Sequence, residues 1–220
     1  MNYFENQFSS SDIKRCSEIL LDVLFLSDEF KDLKKKKLRS IGVDFPVLLS
    51  RGPSNPTLMI CAMDPLRRET MNRDWSTVIN FWVPFSIINN PSLEPKYSER
   101  ENLLFFHTLL ESYNIYVTDI FKIFYREGAS ISNTDKVFKG LAVHREILAR
   151  ELQIIRPEAI LTLGNSARDA ICELFGIPAP QWGQELRKSY TNEGMTVVMV
   201  PHISGAANGA KAPILNNPDY

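Results

Sequence analysis

The stretch Arg156-Pro157-Glu158-Ala159-Ile160-Leu161-Thr162-Leu163-Gly164-Asn165-Ser166-Ala167 decides the fold. Ala159 to Leu163 is a short, nearly continuous apolar run, the pattern of a strand covered on both faces. Before it, residues from Asp135 to Ile155 carry Val137, Phe138, Leu141, Leu148, Leu152 and Ile155 at helical spacing, and Pro157 helps stop that helix. After it, Gly164 makes a turn, and Asn165 to Phe175 reads as a second helix closed by Gly176. The order is therefore helix, buried strand, tight turn, helix.

Working outward, three more runs share the strand pattern: Leu58 to Ala62, Ile115 to Thr118, and Thr196 to Val200. Glu101 to Tyr113, with Leu103, Leu104, Phe106 and Leu110, is a further amphipathic helix. Strands alternating with helices predict an α/β fold with three layers, α/β/α, around a mainly parallel central sheet. No repeat, low-complexity tract or linker interrupts the chain, so residues 1–220 are expected to form one domain. Ser10 and Ser11 can cap a helix that begins near Asp12, and Ile13, Cys16, Ile19, Leu20, Val23 and Leu24 give it one apolar stripe. An N-terminal helical extension reaching about residue 50 is the expectation.

Composition narrows the function classes. With 220 residues, 44% of them hydrophobic, the chain can bury a sizeable core. Its 25 Lys and Arg against 26 Asp and Glu give a net charge of -1, which excludes a polyelectrolyte or a basic nucleic-acid coat. A local cationic face remains open, and Lys31 to Arg39, Arg67, Arg68, Arg168 and Lys211 are the candidates for it. For the run from Lys31 the plain reading is a solvated surface, and the functional one a phosphate-contacting edge. Cys16, Cys61 and Cys172 are too few and too scattered for a disulfide scaffold or a four-cysteine metal site. No apolar run approaches the roughly 20 residues that span a bilayer, and Met1-Asn2-Tyr3-Phe4-Glu5-Asn6 lacks the pattern of a secretory signal. A cytoplasmic monomer with no membrane contact is expected.

Ligands of an open parallel sheet bind beyond the carboxyl ends of its strands. Those ends carry Met63-Asp64-Pro65 with Arg67, then Asp119-Ile120-Phe121-Lys122, then Gly164-Asn165-Ser166, then Pro201-His202-Ile203-Ser204. Two acids and a histidine thus converge on one rim with hydroxyls and cations around them. Taken singly, Asp64 before a proline is a common turn former, Asp119 could cap the next segment, and His202 could be structural. Lys122 reads as a surface lysine, and His107 and His144 as structural residues of helices. Gly-rich phosphate loops are absent, which speaks against P-loop and dinucleotide-binding enzymes. Gly164-Asn165-Ser166-Ala167-Arg168 is similar to a nucleophile elbow but lacks its final glycine. Ser166 is better used for helix capping or phosphate contact than as a nucleophile.

Between residues 57 and 207 the strand-end segments resemble the uracil-DNA glycosylase superfamily. Leu58-Met59-Ile60-Cys61-Ala62-Met63-Asp64-Pro65 looks like its first motif, and Val83-Pro84-Phe85-Ser86-Ile87 like its base-stacking segment. Tyr116-Val117-Thr118-Asp119 stands at the place of the base-recognition strand. The opening stretch, Arg156 to Ala167, is similar to the core strand and turn, and Pro201-His202-Ile203-Ser204-Gly205 to the closing motif. The resemblance implies hydrolysis of the N-glycosidic bond of a flipped-out base in single- or double-stranded DNA, without cofactor or metal. Asp64 and His202 would be catalytic, Met63, Phe85 and Asp119 would bind the base, and Ser86, Gly164, Asn165, Ser166, Ser204 and Arg67 would hold phosphates. Three departures stand out. Asp119 replaces the family's asparagine, Ile203 replaces a proline, and Ala206-Ala207-Asn208 offers no bulky wedge for the vacated stack. Scattered cysteines also exclude the family's iron–sulfur branch. Two other readings stay open, a glycosylase-fold protein that binds nucleic acid without turnover, and a small-molecule nucleoside or ester hydrolase.

Overall fold

Apolar runs without polar alternation are stable as strands only when both sheet faces are covered. The computed structural model describes residues 39–63, 80–82, 84–87, 105–126, 142–179, 189–192, 195–200 and 202. Its strands are β1 (Arg39–Asp44), β2 (Val47–Leu49), β3 (Thr57–Ala62), β4 (Asn80–Trp82), β5 (Asn114–Asp119), β6 (Ile123–Arg126), β7 (Ala159–Leu163), β8 (Ser189–Asn192) and β9 (Met195–Val200). Two helices are delimited, α1 (Ala142–Ile155) and α2 (Asn165–Phe175), and residues 105–110 are also helical.

The fold is α/β. Six strands form the main sheet in the order β2-β5-β3-β7-β9-β8. Its four central strands, β5, β3, β7 and β9, are mutually parallel and correspond to the four apolar runs. Antiparallel β2 and β8 border them. A separate three-stranded sheet, β4-β1-β6, uses residues 39–44, so this part of the expected helical extension is strand instead. Val47–Leu49 is strand as well. The extended conformation there follows from the partners: β1 pairs with β6 and β4, and β2 with β5. The helix expected from Asp12, and the basic run up to residue 38, lie outside the described residues.

Strand alternation sorts the core. Met59, Cys61, Tyr116, Ile160, Val197 and Met199 pack on one face with Leu148 of α1 and Ala167, Ile171 and Cys172 of α2. Leu58, Ile60, Ile115, Val117 and Leu163 pack on the other with Phe106 and Leu110 of the helix at 105–110, and with Ile87. Each such side chain, fully buried, contributes about 1.5–3 kcal/mol, so the two clusters together hold the sheet between helices. α2 ends at Gly176, whose left-handed φ of 64° lets its N–H and that of Ile177 reach the carbonyls of Glu173 and Cys172. Among the described residues no helix is long and apolar enough to cross a membrane.

Connections leaving β3 and β7 run in opposite directions across the sheet, because β5 lies beyond β3 on one side and β9 beyond β7 on the other. The crevice past the carboxyl ends of these two neighbours is the topological switch point, where open α/β sheets bind ligands.

Candidate functional site

Register fixes what meets at that crevice. Ala62 pairs with Asp119, Cys61 with Thr162, and Leu163 with Val200. Asp119, Ala62, Leu163 and Val200 therefore form one row at the carboxyl edge. Parallel strands in register turn equivalent residues to the same face, and Leu163 and Val200 belong to the cluster that also contains Phe85 and Phe106. Asp119 is the last residue of its strand and is 3% exposed. The strand end is held by Ile120 N–H to the Ala62 carbonyl and Phe121 N–H to the Met63 carbonyl, both at 2.9 Å.

Beside this row three predicted residues come together around His202. Gly164 donates its N–H to the Val200 carbonyl at 3.0 Å, which brings the turn after β7 against the end of β9. A Cβ on Gly164 would meet His202 Cβ at 3.5 Å and Cδ2 at 3.9 Å. The His202 ring lies 5.7 Å from the Phe85 ring, tilted by 33°, and Phe85 lies 5.3 Å from Phe106. Two stacking steps of roughly 3.4 Å exceed that gap, so a base cannot enter between Phe85 and His202 and would have to stack beside the imidazole. Pro84–Ser86 forms a single helical turn, closed by Ile87 N–H to the Pro84 carbonyl at 3.3 Å, and it lies against β5. Within it Phe85 adopts φ 58°, ψ 14°, a left-handed conformation uncommon for a bulky side chain. Such strain persists where surrounding contacts impose it and clusters at ligand sites.

Gly164 itself has φ 89° and ψ 174° and precedes the first turn of α2. Helix capping by Ser166 is not what the structure shows: Gly164 is the cap and no side chain bonds to it. Asn165 is exposed and Ser166 half-buried, so the first turn of α2 presents backbone donors toward the carboxyl edge of the sheet. Met63 is half-buried and packs on the α1/α2 side. Arg168 directs Nε and Nη2 to Asp169 Oδ1 at 2.8 and 2.6 Å, so a neighbouring carboxylate offsets its charge as a rim cation. Asp64, Arg67 and Ser204 lie outside the described residues, and of Ser86 only the backbone is described.

Lys122 departs from the sequence expectation. It is 1% exposed, and its ammonium donates to Thr118 Oγ1, to the Asp119 carbonyl at 2.7 Å and to Glu151 Oε2 at 2.9 Å, with Oε1 at 2.7 Å. Thr118 Oγ1 lies 3.2 Å from both Glu151 oxygens and donates to that carboxylate. Three donors and a full set of acceptors satisfy the ammonium, which is what allows a lysine to be buried. Tyr116 and Cys61 border the cluster. Burial pushes the Cys61 thiol and the Tyr116 phenol far above their ordinary ranges, and the Glu151 carboxylate pushes in the same direction. Burial likewise raises the Cys172 thiol. A signal for this cluster does exist in the sequence: Glu151 sits one turn from Leu148 and Ile155, on the apolar stripe of α1. Among the described residues no three His, Cys, Asp or Glu side chains gather as a metal centre. A scan against protein-family models gives no match, and neither does a search of curated proteins.

Proposed function

We propose that the chain is a DNA glycosylase-like hydrolase that cleaves the N-glycosidic bond of a flipped-out, uracil-like or deaminated base, on a three-layer fold resembling that of uracil-DNA glycosylases. One observation carries the reading: His202 stands beside both Phe85 and Gly164 at the carboxyl edge of the parallel sheet, near a row that ends in Asp119. In this reading the base stacks on Phe85, a contact worth about 1–3 kcal/mol. Asp119 faces its hydrogen-bonding edge. As the bond between sugar and base breaks, its electron pair leaves with the base, and the His202 imidazole donates a hydrogen bond to the developing carbonyl oxyanion. Donors of this kind are worth roughly 3–4 kcal/mol. The sugar is left as an oxocarbenium-like cation, which water attacks, losing a proton. The resemblance gives Asp64 the task of stabilising that cation or orienting the water. Backbone donors at the start of α2, with Asn165 and Ser166, suit a phosphate that positions the strand.

Asp119 sets the expected substrate. An ionised carboxylate accepts but cannot donate, so it opposes the O4 edge of uracil. Protonated, it suits a cytosine-like edge. Oligonucleotides carrying uracil, hypoxanthine, xanthine, a modified cytosine or mismatches, single- and double-stranded, are incubated with the protein and assayed for abasic product by alkaline cleavage. Product from at least one substrate is expected, slowed by orders of magnitude in His202→Ala and Asp64→Asn. No product across the panel would refute the assignment. The carboxylate at Asp119 also favours a second reading, nucleic-acid binding without turnover, recognised by salt-sensitive binding with no abasic product.

A further inference from the structure

The strand that ends in Asp119 has two sides, and the side away from Phe85 holds an ion pair in the interior. Alternation along β5 turns Tyr116 and Thr118 toward α1, and Lys122 and Glu151 meet Thr118 there. A buried ion pair is weak evidence for stability, since apolar residues of similar volume commonly replace one without loss. What the pair touches is therefore more informative than its energy. Of the three ammonium protons, one goes to the backbone carbonyl of Asp119 itself, at 2.7 Å.

Thr118 Oγ1 lies 3.4 Å from the same carbonyl, so two members of the cluster meet the backbone of Asp119. β2 pairs with β5 only as far as Val47 opposite Val117, so Asp119 lies two residues past the end of that ladder. On its other side the chain is tied to β3 by Ile120 and Phe121. Lys122 is in turn anchored by Glu151, by Thr118 and, through its own carbonyl, by Asp44 N–H at 3.2 Å. The last residue of β5 is thus clamped on one side by main-chain bonds and on the other by a lysine fixed to helix α1.

We propose that the Lys122–Glu151 pair, linked through Thr118, positions Asp119 and so determines which base the site accepts. This rests on the glycosylase reading above. Lys122 and Glu151 are positioning residues acting through Asp119. Misplacement by about 1 Å can cost on the order of 100-fold in rate, and bases that differ at the edge facing Asp119 would not suffer equally.

The test uses the full chain carrying Lys122→Met with Glu151→Leu, which replaces the pair by apolar residues of similar length, and separately Thr118→Val. The ratio of kcat/KM between the best and second-best bases should change at least tenfold in each. Amide exchange at Ile120 and Phe121 should also quicken at least tenfold, while amides in β7 and β9 keep their wild-type rates. A ratio within twofold of wild type, or exchange that quickens in every strand together, would overturn the proposal as a purely structural effect. An inactive wild type refutes the glycosylase reading and the claim about base choice with it, and the exchange measurement still decides whether the pair holds the end of β5. Should the double variant fail to fold, Thr118→Val delivers the same two readouts.

Discussion

Asn114, the first residue of β5, offers a stability test whose direction follows from donors and acceptors alone. The residue is 6% exposed, and its side chain spends all its hydrogen-bonding capacity on one loop. Oδ1 accepts from Ser50 Oγ at 3.1 Å and Arg51 N–H at 2.9 Å, and Nδ2 donates to the carbonyls of Gly52 and Asn55, each at 2.9 Å. A net 0.5–1.5 kcal/mol per bond gives about 2–6 kcal/mol for all of them. Ser50 and Arg51 are exposed and can turn to water, so Asn114→Ala should cost about 2–3 kcal/mol. Asn114→Asp keeps both acceptor bonds but at neutral pH places a carboxylate oxygen where two carbonyls expect a donor. It should therefore be at least as destabilising as the alanine variant, although it is closer in shape. The two carbonyls facing it should raise the folded pKa of the introduced carboxyl above its unfolded value. Its favourable contribution is thus present below the ordinary aspartate pKa of about 3.9 and lost as pH rises through the folded value. Urea denaturation followed by far-ultraviolet circular dichroism, at pH 7 and again near pH 4, measures both. An aspartate variant more stable than the alanine variant at pH 7 would refute this account of the loop.

Gly164→Ala should cost about 1–3 kcal/mol through its backbone conformation, because a Cβ there makes only ordinary contact with His202; a thermal melt equal to wild type would contradict that. Phe85→Leu retains an apolar contact with Phe106 but loses the stacking face. Oligonucleotide affinity should fall by about 1–3 kcal/mol, roughly 5- to 150-fold, as read by fluorescence anisotropy. Cys61 and Cys172 should resist iodoacetamide in the native protein at pH 8 and react after unfolding, as peptide mass spectrometry would show. The Tyr116 phenol has a folded pKa above its unfolded value, so its stabilising contribution is present below about pH 10 and lost as pH rises further. Tyr116→Phe should flatten the fall in melting temperature above that pH, and an unchanged alkaline limb would contradict the assignment.

The four parallel strands were legible because burial on both faces leaves a continuous apolar run, and their observed ends lie within a residue or two of the sequence reading. α2 was legible for a related reason, since Gly164 and Gly176 mark its limits. Other strands were not. Asn80–Trp82 is three residues long, Ser189–Asn192 reads Ser-Tyr-Thr-Asn, and Arg39–Asp44 is interrupted by a glycine and follows a basic run. Each is extended because of the strand beside it, and a partner distant in sequence leaves no local periodicity. Candidate residues at strand ends could be named from their place after apolar runs. That Phe85 and Gly164 both lie beside His202 is a tertiary fact, joining segments before β5, after β7 and after β9. Lys122 was misread because lysine is usually exposed, and its partner Glu151 arrives from a helix 29 positions further along.

The placement of β9 between β7 and β8 has a consequence for the order of events during synthesis. β8 is made before β9 yet joins the main sheet only through it, and Gly164 has no Val200 carbonyl to meet until β9 docks. His202 follows directly behind. A chain still emerging from the ribosome therefore lacks the β7–β9 ladder, and with it the Gly164 contact, until β9 is made. β9 thus closes two things at once: it seats β8 in the main sheet and, through its last residue, brings the turn at Gly164 to the segment that carries His202.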